Sequence, residues 1–224
     1  MAEKTVEIGS SILSRNERLA NELRERFERT DTYVINVLSS PGSGKSSTIL
    51  ATNELLRELY GLRCAVIEGD IASDVDAVKM KEAGMPAIQI NTGGLCHLEG
   101  NMIGQAIDTL DAGVGLENID VIFIENVGNL VCPVDFDLGE NLAVMILSVP
   151  EGDDKPIKYP GIFQHAGALL LNKIDVAPAF DFDMDDYNRT LDDLNPTAPR
   201  FSISATRGTG MDEWVSWLAA QMGK

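Results

Sequence analysis

A glycine-rich loop between an apolar run and a helical pattern constrains this chain most. The string SSPGSGKSS, residues 39–47, follows the β-branched run YVINVL (33–38) and opens a helix predicted from about Lys45 to Tyr60. This strand–loop–helix context distinguishes a phosphate-binding loop from a chance match in a glycine-rich segment. The sequence therefore predicts a nucleoside-triphosphate site at the end of the first strand.

The backbone of this loop is expected to face the phosphates. Gly42, Ser43 and Gly44 allow a tight turn in which successive N–H groups point at phosphate oxygens, beside the positive end of a helix. The usual pattern begins with Gly, and Ser39 stands at that position. The departure weakens the pattern match but leaves its structural context intact.

Three side chains of the loop have expected roles in catalysis. Lys45 should reach the β- and γ-phosphates, the Ser46 hydroxyl should ligate Mg²⁺, and Ser47 should contact the α-phosphate. These three follow the second glycine directly in the sequence. Nucleotide binding and Mg²⁺ binding are thus predicted at one helix start.

The rest of the chain alternates apolar runs with helical patterns, which predicts an α/β fold with a mostly parallel central sheet and helices on both faces. An amphipathic helix is expected at residues 10–29, within an N-terminal unit (1–30) that packs on a P-loop domain (31–224). Strands are predicted at 63–68, 86–91, 121–125, 142–149, 168–173 and 200–204, and further helices at about 98–110, 183–194 and 211–222.

A second motif predicts which base is bound. The residues NKID (172–175) follow the apolar run ALLL. The Asp175 carboxylate can accept from guanine N1–H and the 2-amino group, whereas adenine offers no donor at either place. Lys173 can lie along the base, and Asn172 can join this loop to the phosphate loop.

A later SAT string supports the same nucleotide. Backbone N–H groups near Ser204 and Ala205 are expected to meet guanine O6. P-loop kinases and most ATPases lack this pair of loops, so GTP and GDP are the expected nucleotides.

Two loops between these motifs could sense the γ-phosphate: residues 68–77 and residues 125–133. Asp70 follows a strand and is a candidate Mg²⁺ ligand. Glu125 could do the same or position the attacking water, and Gly128 could offer its N–H to the γ-phosphate. No water-orienting Gln stands out, which predicts slow intrinsic hydrolysis and activation by a partner or a second subunit.

Cysteine and histidine suggest a second metal centre. Cys96 and His97 are adjacent in a glycine-rich loop, and Cys132 lies four residues after Gly128. Thiolate and imidazole ligands suit Zn²⁺ or Ni²⁺, and three ligands leave a four-coordinate site short unless two copies of the chain pool theirs. Cys64, inside an apolar run, is expected to be an ordinary core residue.

Charge excludes some partners. With 18 Lys plus Arg against 35 Asp plus Glu, the formal net charge is −17, which disfavours nucleic acid and anionic membranes. No signal-peptide pattern or membrane-length apolar run is found, and a cytoplasmic location is expected. The acidic run at 181–196 is expected to be a solvated helix face.

Taken together, these strings resemble the HypB family, the GTPases that help insert nickel into nickel-iron hydrogenases. The resemblance runs from about Ile12 to Trp217 and includes PAIQINTGGLCHLEG, IENVGNLVCP, FDLGE, EGDDKPIKYP and SATRGTGMDEW. It implies that Cys96, His97 and Cys132 bind metal, often at a nucleotide-promoted homodimer interface. It also implies a HypA-type nickel-binding partner and, indirectly, a hydrogenase large-subunit precursor.

Alternatives remain open at this stage. A urease-type, UreG-like GTPase shares the fold, but its metal motif is Cys-Pro-His and it lacks the Cys of LVCP. A storage or sensor protein could use GTP only to regulate metal binding, and NKID argues against a P-loop kinase. Many HypB members carry an N-terminal nickel site, but the first 30 residues here contain no Cys or His.

Overall fold

The computed structural model describes residues 8–70 and 80–224, apart from the side chains of residues 8–11 and 70. Within these residues a seven-stranded, all-parallel sheet has the strand order β3-β2-β4-β1-β5-β6-β7. The strands are β1 Tyr33–Ser39, β2 Cys64–Asp70, β3 Ala87–Asn91, β4 Val121–Glu125, β5 Leu142–Ser148, β6 Ala168–Asn172 and β7 Arg200–Ser202.

The α-helices of the described residues connect and flank these strands. They are α1 Ile8–Thr30, α2 Lys45–Tyr60, α3 Gly100–Val114, α4 Lys155–Lys158, α5 Pro160–His165, α6 Met184–Leu194 and α7 Met211–Gln221. Gly61 ends α2 at φ 67°, and its N–H caps the carbonyls of the last turn.

Helices cover both faces of the sheet because side chains alternate along each strand. On one face, Ile35 and Val37 join a buried cluster with residues of α2 and α7. On the other face, Val34 packs with Leu23 and Phe27 of α1 and with α3. The predicted α/β fold is therefore confirmed.

The element boundaries agree with the sequence predictions within a few residues, with two differences. Strand β7 ends at Ser202 because the chain then turns, and the Ser204 N–H bonds the Thr209 carbonyl at 2.9 Å. Helices α4 and α5 were not predicted; each is only one or two turns long and has a proline in its first turn.

The N-terminal helix is held against the sheet by polar as well as apolar contacts. Arg24 forms a forked pair with the Asp137 carboxylate at 2.8 and 2.9 Å. Asn16 donates to the Asp137 carbonyl at 2.7 Å and accepts from the Gly100 N–H at 2.7 Å. Helix α1 thereby contacts the chain shortly after Cys96 and shortly after Cys132.

The strand order brings the predicted motifs together. Strands β4, β1, β5 and β6 are consecutive neighbours, so Glu125, Ser39, Ser148 and Asn172 end at the same edge of the sheet. In open α/β sheets, ligands bind beyond this carboxyl edge.

Candidate nucleotide and metal sites

The phosphate loop forms the floor of a cleft of about 620 Å³. Gly42 and Gly44 adopt φ values of 79° and 100°, which L side chains rarely adopt. The cleft has the size of a small-molecule site. Its lining comprises Pro41, Gly42, Gly44, Lys45, Ser46, Ser47, Leu50, Glu68, Gly69, Glu125, Asn126, Val127, Gly128 and Lys173.

Ser39 has a specific place in this loop, although the usual pattern has Gly there. Its side chain is fully buried. Its hydroxyl oxygen lies 3.0 Å from Lys45 Nζ and 2.6 Å from Ser43 Oγ, and it donates to the Ser40 carbonyl at 2.8 Å. Ser39 therefore helps to orient the lysine that is expected to meet the phosphates.

Carboxylates face the start of α2. Ser46 Oγ donates to Glu125 Oε1 at 2.9 Å. Glu68 of β2 is in register with Glu125, and both are nearly buried, at 3% and 6% exposure. Asp70 ends β2, but its side chain and most of the predicted loop 68–77 lie outside the described residues.

The NKID loop is joined to the phosphate loop through Asn172, as the sequence predicted. Asn172 Nδ2 donates to the Ser43 carbonyl at 2.9 Å. A Cβ on Gly44 would lie 2.4 Å from Asn172 Nδ2, so only glycine leaves room for this contact. Lys173 adopts φ 61°, and its Nζ donates to the Gly42 carbonyl at 2.6 Å.

The SAT loop lies beside Asp175. Ser204 Oγ donates to Asp175 Oδ1 at 2.6 Å, so the serine orients the carboxylate. The Ser204 N–H bonds the Thr209 carbonyl because the chain turns there, and a contact of this loop with guanine O6 stays a prediction. The Ala205 N–H bonds Asn172 Oδ1 at 3.2 Å.

Gly128 approaches the phosphate loop closely. A Cβ at this position would lie 2.9 Å from the backbone nitrogen and Cγ of Pro41. The predicted γ-phosphate sensor is therefore adjacent to the phosphate loop, and no larger residue fits without displacing it.

The two cysteines and the histidine predicted as metal ligands meet in one place. Their ligand atoms (Cys96 Sγ, a His97 ring nitrogen and Cys132 Sγ) all lie within 4.8 Å of one another. Cys96 Sγ is 3.7 Å from His97 Nδ1. Ligand atoms of a tetrahedral zinc centre are about 3.5–3.8 Å apart, given bond lengths of about 2.0–2.3 Å. The donor set therefore fits a Zn²⁺ or Ni²⁺ ion.

The imidazole of His97 is flanked on two sides. Its ring stacks on Phe136 with centroids 3.8 Å apart. Its Nε2 lies 3.5 Å from a Glu99 oxygen without forming a hydrogen bond, and its Nδ1 lies 3.7 Å from Cys96 Sγ. A carboxylate behind a ligating histidine is a frequent device for fixing the ring.

The thiols differ in environment. A hydrogen bond with the Cys132 thiol raises the pKa of Cys96, an effect that a bound cation would oppose. Burial raises the pKa of Cys64 to about 12, and this residue lies in the core as expected. Asn129 Oδ1 accepts from the backbone N–H groups of Val131 and Cys132 and so shapes the loop that carries Cys132.

Several site residues escaped sequence reasoning. Glu99 and Phe136 contact His97 from two different segments, and only the fold brings them together. Glu68 could have been found, since it is the last residue of the predicted strand 63–68; in the structure it lies opposite Glu125 in the register. Glu151 accepts from the Ser40 hydroxyl and from Ser148, a support of the phosphate loop that no motif indicated.

In the described part of the chain, none of the helices has the length and apolar character needed to cross a membrane.

Comparison with known proteins identifies the family. The profile of the CobW/HypB/UreG nucleotide-binding domain matches residues 33–202. The hydrogenase maturation factor HypB of Azotobacter vinelandii is 47% identical over 98% of this chain and 71% of its own length. That of Escherichia coli K12 is 46% identical over 97% of this chain and 73% of its own length. The chain belongs to the HypB family.

Solved HypB structures share the fold. HypB from Helicobacter pylori in complex with nickel has a TM-score of 0.88 and 37% identity over 93% of this chain and 95% of that one. HypB from Archaeoglobus fulgidus has a TM-score of 0.85 and 34% identity over 93% and 99%. The resemblance to HypB expected from the sequence motifs is thus confirmed over nearly the whole chain.

Proposed function

We propose that this chain is a cytoplasmic GTPase that binds Ni²⁺ or Zn²⁺ and assists nickel insertion during [NiFe]-hydrogenase maturation. Two lines of comparison support the proposal. Its relatives from Azotobacter and Escherichia coli are named hydrogenase maturation factors, and the similar Helicobacter pylori protein was solved in complex with nickel.

The nucleotide would be GTP or GDP. Asp175, oriented by Ser204, would accept from guanine N1–H and the 2-amino group, while Lys173 would lie along the base. The N–H groups of Gly42, Ser43 and Gly44 would face the phosphates, and Ser47 would contact the α-phosphate. The hydrogen bond between Asn172 and Ser43 supports this arrangement, because it fixes the base loop relative to the phosphate loop.

Hydrolysis would depend on charge neutralisation at the γ-phosphate. Lys45, now beside Ser39, would turn to the β- and γ-phosphate oxygens. Ser46, with Glu125 behind it and Asp70 as the expected second ligand, would hold Mg²⁺, which supplies positive charge to the phosphates. Gly128 would donate its N–H to the γ-phosphate. We expect low intrinsic turnover.

The cargo site would be Cys96, His97 and Cys132. Both cysteines would bind as thiolates and the imidazole of His97 would be the third ligand, with the Glu99 carboxylate 3.5 Å from its Nε2. Three protein ligands leave a position open for exchange, which suits delivery better than storage.

Partners would meet the chain near the metal site. Val131 and Leu95 are 60% and 41% exposed, and they flank Cys132 and Cys96 in the sequence. A homodimer promoted by GTP or metal would bury these apolar side chains and pool the ligands of two copies. A HypA-type nickel-binding protein would exchange metal with this site, and the hydrogenase precursor would receive it indirectly. The net charge of −17 disfavours nucleic acid and membrane partners.

One observation carries the proposal: a single short segment holds both Gly128, which contacts the phosphate loop, and Cys132, which lies in the metal cluster. The test is nickel transfer from the loaded protein to a chromogenic chelator in GDP, GTP and a non-hydrolysable GTP analogue. We expect the GDP and analogue states to transfer nickel at different rates, and turnover of GTP to carry the protein from one state to the other, a change that Lys45→Ala should abolish. States that differ in transfer while GTP is not turned over would favour a sensor, and transfer equal in all states would refute the proposal.

A further inference from the structure

The segment from Asn126 to Glu140 carries elements of both sites. Gly128 packs on Pro41 of the phosphate loop, Cys132 belongs to the metal cluster, and Phe136 stacks on His97. Any movement of Gly128 toward a γ-phosphate must therefore either reach the metal ligands or be absorbed where the segment joins the rest of the fold.

Both ends of this segment are tied to one side chain of the central strand. Asn36 Nδ2 donates to Glu140 Oε1 at 2.9 Å, and Asn36 Oδ1 accepts from Asn126 Nδ2 at 3.1 Å. Asn36 and Asn126 are each 1% exposed, and Glu140 is partly buried. A buried asparagine in the middle of β1 is costly unless its hydrogen bonds are made, so this connection is a specific feature.

Two backbone N–H groups fix which atoms donate and which accept in this series of hydrogen bonds. The Leu138 N–H donates to Glu140 Oε2 at 2.8 Å, and the Val127 N–H donates to Asn126 Oδ1 at 2.9 Å. Backbone donors thus enter the series from both sides. The side-chain amides of Asn126 and Asn36 each accept one hydrogen bond through the oxygen and donate one through the nitrogen. With backbone donors at both ends of the series, one side chain must therefore accept two hydrogen bonds and donate none. Glu140, as a carboxylate, is that member.

The C-terminal end of the segment is also bound to α1. Asp137, directly after Phe136, is held by the forked contact with Arg24 and by the bond from Asn16 to its carbonyl oxygen. The stretch that remains free to respond is therefore the middle, which holds Gly128 and Cys132.

We propose that Asn36 and Glu140 are positioning residues that fix the two ends of the segment, so that displacement of Gly128 by the nucleotide is transmitted to Cys132 and His97. The inference rests on the proposed function, because it explains how nucleotide and metal binding are coupled. Without the hydrogen bonds of Asn36 to Asn126 and Glu140, the ends of the segment can move with Gly128, and the two sites become independent.

The proposal can be tested by exchanging the amide of Asn36 with the carboxylate of Glu140. In Asn36→Asp, two carboxylates face each other. In Glu140→Gln, every orientation of the three amides leaves two donors opposed. In the double variant Asn36→Asp/Glu140→Gln, the new amide accepts from the Leu138 N–H and donates to the new carboxylate, which also accepts from Asn126. All bonds are then restored, and the net charge equals that of the parent because one carboxylate is gained and one is lost.

The measurement is Ni²⁺ affinity in GDP and in a non-hydrolysable GTP analogue, at mildly alkaline pH because burial raises the pKa of Glu140. In the parent we expect affinities that differ by about tenfold, a typical coupling. Each single variant should bind GTP and nickel but show a ratio within about twofold of one, and the double variant should recover the parent ratio. The exposed pair Asn101→Asp and Glu58→Gln is the control and should leave the ratio unchanged.

The outcomes separate this inference from the proposed function. Single variants with lower melting temperatures but the full parent ratio would show a structural role alone and overturn the inference. Failure of the double variant to recover the ratio would do the same. Equal Ni²⁺ affinities of the parent in GDP and in the GTP analogue would refute the coupling on which the proposed function depends. If Asn36→Asp does not fold alone, Glu140→Gln and the double variant carry the same comparison.

Discussion

The side-chain amide of Asn172 donates to the carbonyl of Ser43 at 2.9 Å and joins two loops that are 129 residues apart. Gly44 makes this possible, since any Cβ there would collide with the Asn172 amide. The loop expected to select the base and the loop expected to hold the phosphates are therefore joined directly, and a change at one of them should alter binding of the whole nucleotide.

Asp175→Asn should lose guanine affinity, because the amide presents an N–H to the guanine donors. We expect a loss of about a hundredfold or more, since an amide donor held against the guanine donors would be left without an acceptor. Titration of GTP measures the loss. Xanthosine triphosphate, which carries a carbonyl in place of the 2-amino group, should bind the variant better than the parent. GTP affinity equal to that of the parent would show that Asp175 does not read the base.

Lys45→Ala and Ser46→Ala should each reduce kcat for GTP by about 10²–10³-fold, because they remove charge neutralisation at the γ-phosphate and a Mg²⁺ ligand. Both side chains lie at the surface of the cleft, so melting temperatures should stay close to that of the parent. Phosphate release under saturating GTP is the assay. Unchanged turnover in either folded variant would exclude the assigned roles.

Gly128→Ala should impair nucleotide sensing by displacing the loop from Pro41, which would lie 2.9 Å from the new Cβ. We expect weaker binding of a GTP analogue with little change for GDP, since only the γ-phosphate is thought to contact this loop. Gly104→Ala on α3 is the matched control, because nothing lies within 4 Å of a Cβ there. Equal losses for GDP and the analogue would indicate general damage to the site.

The three cysteines should differ in their reaction with a thiol reagent as pH rises. Burial raises the pKa of Cys64 to about 12, so below pH 10 less than about 1% of it is thiolate. Cys96 and Cys132 are partly exposed, and their labelling should be much faster than that of Cys64 and be suppressed by Ni²⁺ or Zn²⁺. Mass spectrometry of labelled peptides counts the sites. Rapid labelling of Cys64 in the folded protein would contradict its assignment to the core.

Sequence reasoning reached the motifs whose chemistry is local. The phosphate loop, the NKID loop and the Cys96–His97 pair could be found because each is a contiguous string at the end of a predicted strand. A mostly parallel sheet followed from the alternation of strands with helices, whereas the order of the strands was not predicted.

What escaped prediction depends on contacts between distant segments. Glu99 supports His97, and Glu140 meets Asn36 across 104 residues of chain, so neither pairing leaves a local pattern. The hydrogen bond from the Ser204 hydroxyl to Asp175 was not predicted either, because it joins residues that are 29 positions apart in the sequence.

The central claim is that nucleotide and metal binding are coupled through the segment that carries Gly128 and Cys132. The most direct test is the affinity of the parent chain and of Cys132→Ala for Ni²⁺ and Zn²⁺, each with GDP and with a non-hydrolysable GTP analogue. Metal–ligand distances are fixed within about 0.2 Å, so a small movement of Cys132 relative to Cys96 and His97 should change affinity. We expect the parent to show a difference between the two nucleotide states, and a reciprocal effect of metal on nucleotide affinity. Cys132→Ala should lose most of that difference. Equal metal affinities in both states of the parent would leave a GTPase and a metal site without coupling, and would contradict the account.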